Sequence, residues 1–210
     1  MTGSKAIAIF GGTFNPIHYG HLIVAEEIRS KYNLDKVVFV PCHLPPHKDP
    51  TDLVDAQKRL IMVHLAVVGN PCFEVSDFEI ERGGRSYSID TVRHFSKIYG
   101  EETQLYFIVG ADVLMELSTW KNIDHLLKLS KFIAVPRPGY DTGKIFDYKI
   151  LGSSTRVLDS DLMENIIVEN VSTSDVSSTD VRQKVREWKS IKYLVPENVE
   201  QFIHNQKLYL

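Results

Sequence analysis

Ala6-Ile7-Ala8-Ile9-Phe10-Gly11-Gly12-Thr13-Phe14-Asn15-Pro16-Ile17-His18-Tyr19-Gly20-His21 is the stretch from which the fold is read. Its first five residues form a continuous, partly β-branched apolar run stopped by two glycines, the pattern of a strand buried on both faces. Past the Asn-Pro turn, apolar residues return at Leu22, Ala25, Ile28 and Tyr32, the spacing of a helix with one stripe against a core. The chain therefore opens strand, loop, helix, and the alternation repeats. Lys36 to Val40 reads as a second buried strand ended by Pro41, and Leu53, Ala56, Leu60, Val63 and Val67 mark a second helical stripe. Residues 72–80 read as a strand, 88–99 as a helix, and 105–109, 131–135 and 166–168 as strands, with helices beginning near Ser177 and at Pro196. Residues 140–165, with scattered Gly, Asp and Ser, read as loops with short elements. Strands separated by helices of this length imply right-handed crossovers, hence an α/β fold with a doubly wound, mostly parallel sheet and C-terminal helices. No linker, repeat or low-complexity segment divides the chain, so one domain over residues 1–210 is expected.

Composition narrows the class of partner. Among 210 residues, 43% are hydrophobic and 24% charged, which sets disorder, collagen and coiled coils aside. Lys and Arg total 24 against 27 Asp and Glu, a net charge of -3 that argues against a nucleic-acid coat or a protein built for anionic membranes. Any anion must be gripped locally. Two cysteines, Cys42 and Cys72, cannot frame a disulfide scaffold, and the apolar run after the N-terminus is too short for a membrane span. A cytoplasmic location is expected; homo-oligomerisation is left open.

In an open parallel sheet, ligands bind beyond the carboxyl ends of the strands, near the reversal of strand order. Gly11 and Gly12 at a strand end let backbone approach a ligand closely, and the following helix start offers N–H groups to a phosphate. His18 and His21 add two imidazoles there, each able to donate to a polyphosphate. The pair could instead be metal ligands, but no third ligand of suitable spacing stands nearby, and it could also be two surface histidines at a helix cap. Ser177 followed by Asp180 is a capping-box-like start of a late helix, where Ser178, Thr179 and Arg182 would make a second anion site. An ordinary capped helix is the plainer account. Ser153-Ser154-Thr155-Arg156 carries similar residues, but Arg follows Thr directly and no apolar stripe succeeds it, so it reads as loop. Pro45-Pro46-His47-Lys48 follows the second strand, and the rigid diproline would hold Lys48 toward the phosphates; a solvated loop lysine is the alternative. Zinc at Cys42, His43 and His47 is disfavoured by the single local thiolate.

Gly11 to His21 resembles the T/HxGH signature of the nucleotidylyltransferase superfamily, and residues 6–208 resemble bacterial nicotinate-nucleotide adenylyltransferases, with residues 140–165 contributing least. Pro45 to Lys48 is similar to the PPHK loop, Ser86 to Thr91 to SYTxDT, Phe107 to Leu114 with Trp120 to FIxGxDxL and its tryptophan, Ser177 to Arg182 to ISSTxIR, and Tyr193 to Pro196 to YLVP. The resemblance implies a Rossmann-like fold that joins ATP to nicotinate mononucleotide, with Mg²⁺ bound through the substrate phosphates. Carried onto these positions, it implies catalytic roles for His18, His21, Lys48 and Arg182, and ATP contacts from Gly11, Gly12, Thr13, Phe14, Gly110, Ser177, Ser178 and Thr179 as well. Lys48, Tyr87, Ser88, Asp112 and Trp120 fall at the acceptor, where aromatic faces can stack on the pyridine ring and Asp112 can accept from a ribose hydroxyl. By themselves, Trp120 reads as core and Asp112 as a helix N-cap.

Two positions depart from the family pattern: Asn15, where many members have Asp, and Trp188, where Gly is frequent. Phosphopantetheine adenylyltransferases and cytidylyltransferases share the histidine loop but lack the SYTxDT and tryptophan features. No G-x-G-x-x-G follows the first strand and no P-loop motif occurs. A non-catalytic nucleotide sensor would be expected to lose a histidine or the late arginine, and all are present. Nicotinate and nicotinamide acceptors are not separated at this level.

Overall fold

The structure is a computed structural model describing residues 5–45, 53–136, 160–172 and 174–210. Six strands, β1 (Ala6–Gly12), β2 (Lys36–Pro41), β3 (Phe73–Val75), β4 (Gln104–Gly110), β5 (Lys131–Val135) and β6 (Ile166–Val168), form one sheet in the order β3-β2-β1-β4-β5-β6. Every pairing is parallel, with Ile9 opposite Val38 on one side and Phe107 on the other. The described helices are α1 (Tyr19–Lys31), α2 (Ala56–Val67), α3 (Phe78–Arg82), α4 (Ser88–Tyr99), a 3₁₀ helix (Ala111–Thr119), α5 (Ile123–Leu129), α6 (Ser160–Met163), α7 (Ser178–Arg186) and α8 (Glu197–Asn205).

The strand pleat explains why these runs are apolar without interruption. Ala8, Phe10, Val37, Phe39, Ile108 and Ile133 face one way and pack against Ala25 and Ile28 of α1, Met62 and Val63 of α2, Val181 of α7 and Ile203 of α8. Their alternates Ile7, Ile9, Val38, Val40, Phe107 and Phe132 face the other way, onto Ile89 and Val92 of α4 and Leu126 of α5. Burial on both faces is what removes the period-2 alternation.

The expected strand over residues 72–80 is a correction. Only Phe73–Val75 pairs with β2, and the last ladder bond is from the Ser76 N–H to the Phe39 carbonyl at 2.9 Å. The Ser76 hydroxyl then accepts from the Phe78 N–H at 3.3 Å, turning the chain into α3, so Glu79 ends 5% exposed in the interior instead of on a strand. The 3₁₀ helix and α5, between β4 and β5, carry no assignment in the sequence reading.

Strand order reverses between β1 and β4, and both of these strands end in glycine, at Gly12 and Gly110. The crevice expected of such a sheet therefore opens where the double-glycine loop begins.

Candidate active site

Beyond β1, the chain turns through the cis Asn15-Pro16 bond into His18, which caps α1 in an extended conformation. His21 sits one turn on. The two imidazoles lie face to face, centroids 3.7 Å apart and 33° from parallel. The His18 N–H donates to His21 Nδ1 at 3.2 Å, so in the neutral ring the His21 proton is carried by Nε2, the tautomer that can donate to a phosphate oxygen. Behind them, Phe14 is 2% exposed at a φ of 46°, with its ring centroid 5.1 Å from His21 and 5.7 Å from Phe10. A Cβ at Gly12 would meet the Phe14 ring at 2.9 Å, too close without a shift of the ring, and one at Gly11 would meet Phe107 at 3.2 Å, a tighter than ordinary contact.

The start of α7 is built as expected, with the Ser177 hydroxyl accepting from the Asp180 N–H at 3.1 Å. It is tied onto the histidine loop. Ser178 Oγ donates to the Pro16 carbonyl at 2.8 Å, and Arg182 Nη1 donates to the Asn15 carbonyl at 3.0 Å. Arg182 Nη2 also donates to Thr179 Oγ1 at 3.4 Å, and Arg182 Nε is buried without a hydrogen-bond partner. The Ser178 proton is thus spent on main chain, while Thr179 Oγ1, as acceptor, keeps its own. The Tyr193-to-Pro196 segment joins the same place, its Leu194 carbonyl accepting the Tyr19 N–H at 3.0 Å in the first turn of α1.

Asn15 works as a tie. It is 4% exposed, and its Oδ1 accepts from the Val54 N–H at 3.3 Å and from the Tyr209 hydroxyl at 3.0 Å. Burial pushes the Tyr209 phenol up, which keeps it a neutral donor. Trp188 occupies a left-handed φ of 55° at the end of α7, where its N–H bonds the Val185 carbonyl and the Lys189 N–H bonds that of Lys184. This Schellman ending is why glycine suits the position.

Tyr87 caps α4 and Ser88 begins it. Lys121 Nζ lies 4.5 Å from the Tyr87 ring centroid and 3.7 Å from Asp90 Oδ2, which Arg82 also approaches at 3.6 Å. Trp120 is partly buried, edge-on to Phe107 and Phe132 at 6.4 and 6.0 Å. Asp112 lies in the first turn of the 3₁₀ helix, whose N-cap is Gly110, so the N-cap reading of Asp112 is corrected; its carboxylate lies against Gly110, where an added Cβ would displace it. Lys48, His47 and the Ser153 to Arg156 stretch lie outside the described residues.

Two buried ionisable groups escaped the sequence reading. Arg59, 1% exposed, donates to the carbonyls of Thr13, Cys42, His43 and Val54. Its signal was a charge three and four residues before Met62 and Val63 on the apolar stripe of α2. Glu79 accepts from the Thr91 hydroxyl; burial pushes its carboxyl up, against the pull of hydrogen bonds from Ser86 and Thr91 and the charge of Arg82. Cys42 is buried beside Arg59, and desolvation raises its thiol.

A cytidylyltransferase-like family model matches residues 9–184. A protein of Thermoanaerobacter sp. (strain X514) named as a nicotinate-nucleotide adenylyltransferase is 47% identical over 209 residues, covering 100% of this chain and 96% of its own. One of the same name from Moorella thermoacetica is 46% identical, covering 100% and 94%. Among solved structures, the Plasmodium falciparum nicotinic acid mononucleotide adenylyltransferase complexed with NaAD superposes with a TM-score of 0.72 at 18% identity, covering 98% of this chain and 97% of that one. With paired imidazoles at one helix start, a second helix start bonded to the same loop, and this similarity along its full length, the chain belongs to the nicotinate-nucleotide adenylyltransferase family.

Proposed function

We propose that the chain transfers the adenylyl group of ATP to nicotinate mononucleotide, giving deamido-NAD and pyrophosphate. The observation that carries this reading is the pair of hydrogen bonds from Ser178 to Pro16 and from Arg182 to Asn15, which bring two helix N-termini and two imidazoles to one strand end. An anionic oxygen of the acceptor 5′-phosphate attacks the α-phosphorus of ATP in line. The new P–O bond forms as the bond to the bridging oxygen breaks, and pyrophosphate leaves with that electron pair. The acceptor is ionised at neutral pH, so no covalent intermediate or strong base is needed. His18, His21, Lys48 and Arg182 stabilise charge on the departing pyrophosphate; Gly11, Gly12, Thr13, Phe14, Gly110, Ser177, Ser178 and Thr179 shape the ATP side. Tyr87, Ser88, Asp112 and Trp120, with Lys48, hold the acceptor. Lys121 supports a carboxylate-bearing ring: its ammonium lies 4.5 Å from the Tyr87 ring centroid, where it can face an anionic substituent of a stacked pyridine.

The donors around the histidine loop are N–H groups and imidazoles, and among the described residues no three His, Cys, Asp or Glu side chains gather to hold a metal. That donor set suits Mg²⁺ carried on the substrate phosphates, where it would screen their charge. No helix among the described residues is long and apolar enough to cross a membrane. We place the reaction in the cytoplasm and take residues 1–210 as one nucleotidyltransferase domain. Pyrophosphate release tests the reading: robust turnover with ATP and nicotinate mononucleotide is expected, and turnover with neither pyridine mononucleotide would sink it.

A further inference from the structure

Two buried ionisable side chains with no part in this chemistry converge on the same few residues of main chain. Arg59 uses its whole guanidinium: Nε on the Val54 carbonyl at 2.9 Å, Nη1 on that of Thr13 at 2.7 Å and on Cys42 Sγ at 3.9 Å, Nη2 on the carbonyls of Cys42 and His43 at 2.7 and 2.9 Å. From the other side, Ser86 Oγ accepts the His43 N–H at 3.0 Å and is hydrogen-bonded to the Glu79 carboxyl, which also takes the Thr91 hydroxyl. The Ser86 N–H returns to the Leu44 carbonyl at 3.0 Å, and His43 Nδ1–H reaches the Gly84 carbonyl at 3.0 Å. His43 is held by its carbonyl through a cation and by its N–H through a relay ending on an acid.

These attachments join segments assigned to different substrates. Thr13 belongs to the ATP loop, residues 42–45 lead into the Pro45-to-Lys48 loop, and Ser86 immediately precedes Tyr87 and Ser88. We propose that Arg59 and Glu79 are positioning residues, a buried clamp on His43 that sets the spacing between the ATP loop and the acceptor loop. The proposal rests on the adenylyl-transfer reading. It also divides the labour. Arg59 grips both loops, so weakening it disturbs the alignment of two bound substrates and lowers kcat. The Glu79–Ser86 branch touches only the acceptor side, so weakening it raises KM for the mononucleotide alone. A fully buried Arg59 ammonium analogue cannot reproduce five N–H donors with three.

The test uses the full chain with Arg59→Lys, Glu79→Gln and Ser86→Ala, combining steady-state kinetics in both substrates with amide hydrogen exchange of the free proteins. Arg59→Lys is expected to lower kcat about tenfold or more with both KM values within about twofold of wild type, since small misalignments of reacting groups cost this much. Ser86→Ala and Glu79→Gln are expected to raise KM for the mononucleotide severalfold while KM for ATP holds, and all three should speed exchange at the His43 and Ser86 amides. A lowered Tm with wild-type kcat and KM values, or both KM values rising together, would overturn the clamp. Should Arg59→Lys fail to fold, the KM split in Ser86→Ala decides the proposal by itself. Exchange is read without substrate, so the failures separate: an inactive wild type removes the functional reading, and unchanged amide protection in the variants removes the clamp.

Discussion

Replacing Gly12 by alanine adds one methyl group at a site where the structure specifies what it meets. The new Cβ would lie 2.9 Å from Cζ of Phe14 and 3.1 Å from both its Cε atoms, against 3.4 Å or more in ordinary contact, so the ring must retreat by about half an ångström. Little room is free behind it. The Phe14 ring is 2% exposed and hemmed by Phe10, Phe39 and His21, with centroids at 5.7, 5.8 and 5.1 Å, and His21 in turn lies 3.7 Å from His18. Overpacking of this kind costs about 1–3 kcal/mol of stability. The push reaches the imidazoles proposed to meet the phosphates, and a 1 Å misplacement of a catalytic group costs roughly 10²-fold, so half of that predicts a drop in kcat of about tenfold, or ~1.4 kcal/mol of barrier. The assay is pyrophosphate release at saturating ATP and nicotinate mononucleotide, beside a thermal melt. Gly12→Ala combined with Phe14→Leu makes room for the methyl and should recover kcat relative to the sum of the single losses. Wild-type kcat in Gly12→Ala, or simple additivity in the double variant, would refute the reasoning.

Four further outcomes are expected. His21→Ala removes the donor proposed for the departing pyrophosphate and should lower kcat by about 10²-fold in the same assay, the loss of one well-aimed hydrogen bond. Lys121→Met should lower kcat/KM for nicotinate mononucleotide about tenfold while leaving any rate with the nicotinamide analogue unchanged, measured side by side. Trp188→Gly relieves a left-handed φ of 55° at an 83% exposed side chain and should raise stability by about 1 kcal/mol in denaturant melts. Glu79 gives a pH signature: burial lifts its folded pKa above 4.5, so its share of stability is full below that value and is lost as pH rises through the folded pKa. Glu79→Gln cannot ionise, and its stability relative to wild type should therefore improve from about pH 4.5 upward, as read from urea melts.

The strands were legible because they are buried on both faces. A run such as Lys131–Val135 has no periodicity to misread and is bounded by a helix end and a proline. Residues 72–80 failed for the same reason: Phe78 and Ile80 are as apolar as Phe73 and Val75, and only the Ser76 turn, a local side-chain bond, separates strand from helix. The paired histidines were legible because a strand end, two glycines and a helix start fix their place locally. What was not legible is long-range. Tyr209 bonds Asn15 from 194 positions away, and Arg59 reaches Thr13 from 46; neither partner leaves a mark in the other's neighbourhood of the sequence.

Those long-range ties bear on how a chain of net charge -3 can take two phosphorylated substrates. Arg59 has no carboxylate in salt-bridge contact among the described residues; its charge is balanced by carbonyl dipoles directly behind the loop that carries Thr13. Arg182 is likewise bonded to a carbonyl of that loop, at Asn15. The first turn of α1 contains no acidic residue to cancel the positive end of its helix. Several acidic side chains are engaged away from the loop, Glu169 with Lys31 and Tyr32, Glu74 with Lys36, and Glu26 with Arg29, while Asp180 stands in the first turn of α7. The sign of the whole molecule is therefore a poor guide to the field at the strand ends. Two arginines tied to main chain, two imidazoles and two helix starts converge there, and the buried Arg59 keeps much of its field because water does not screen it as it screens surface charge.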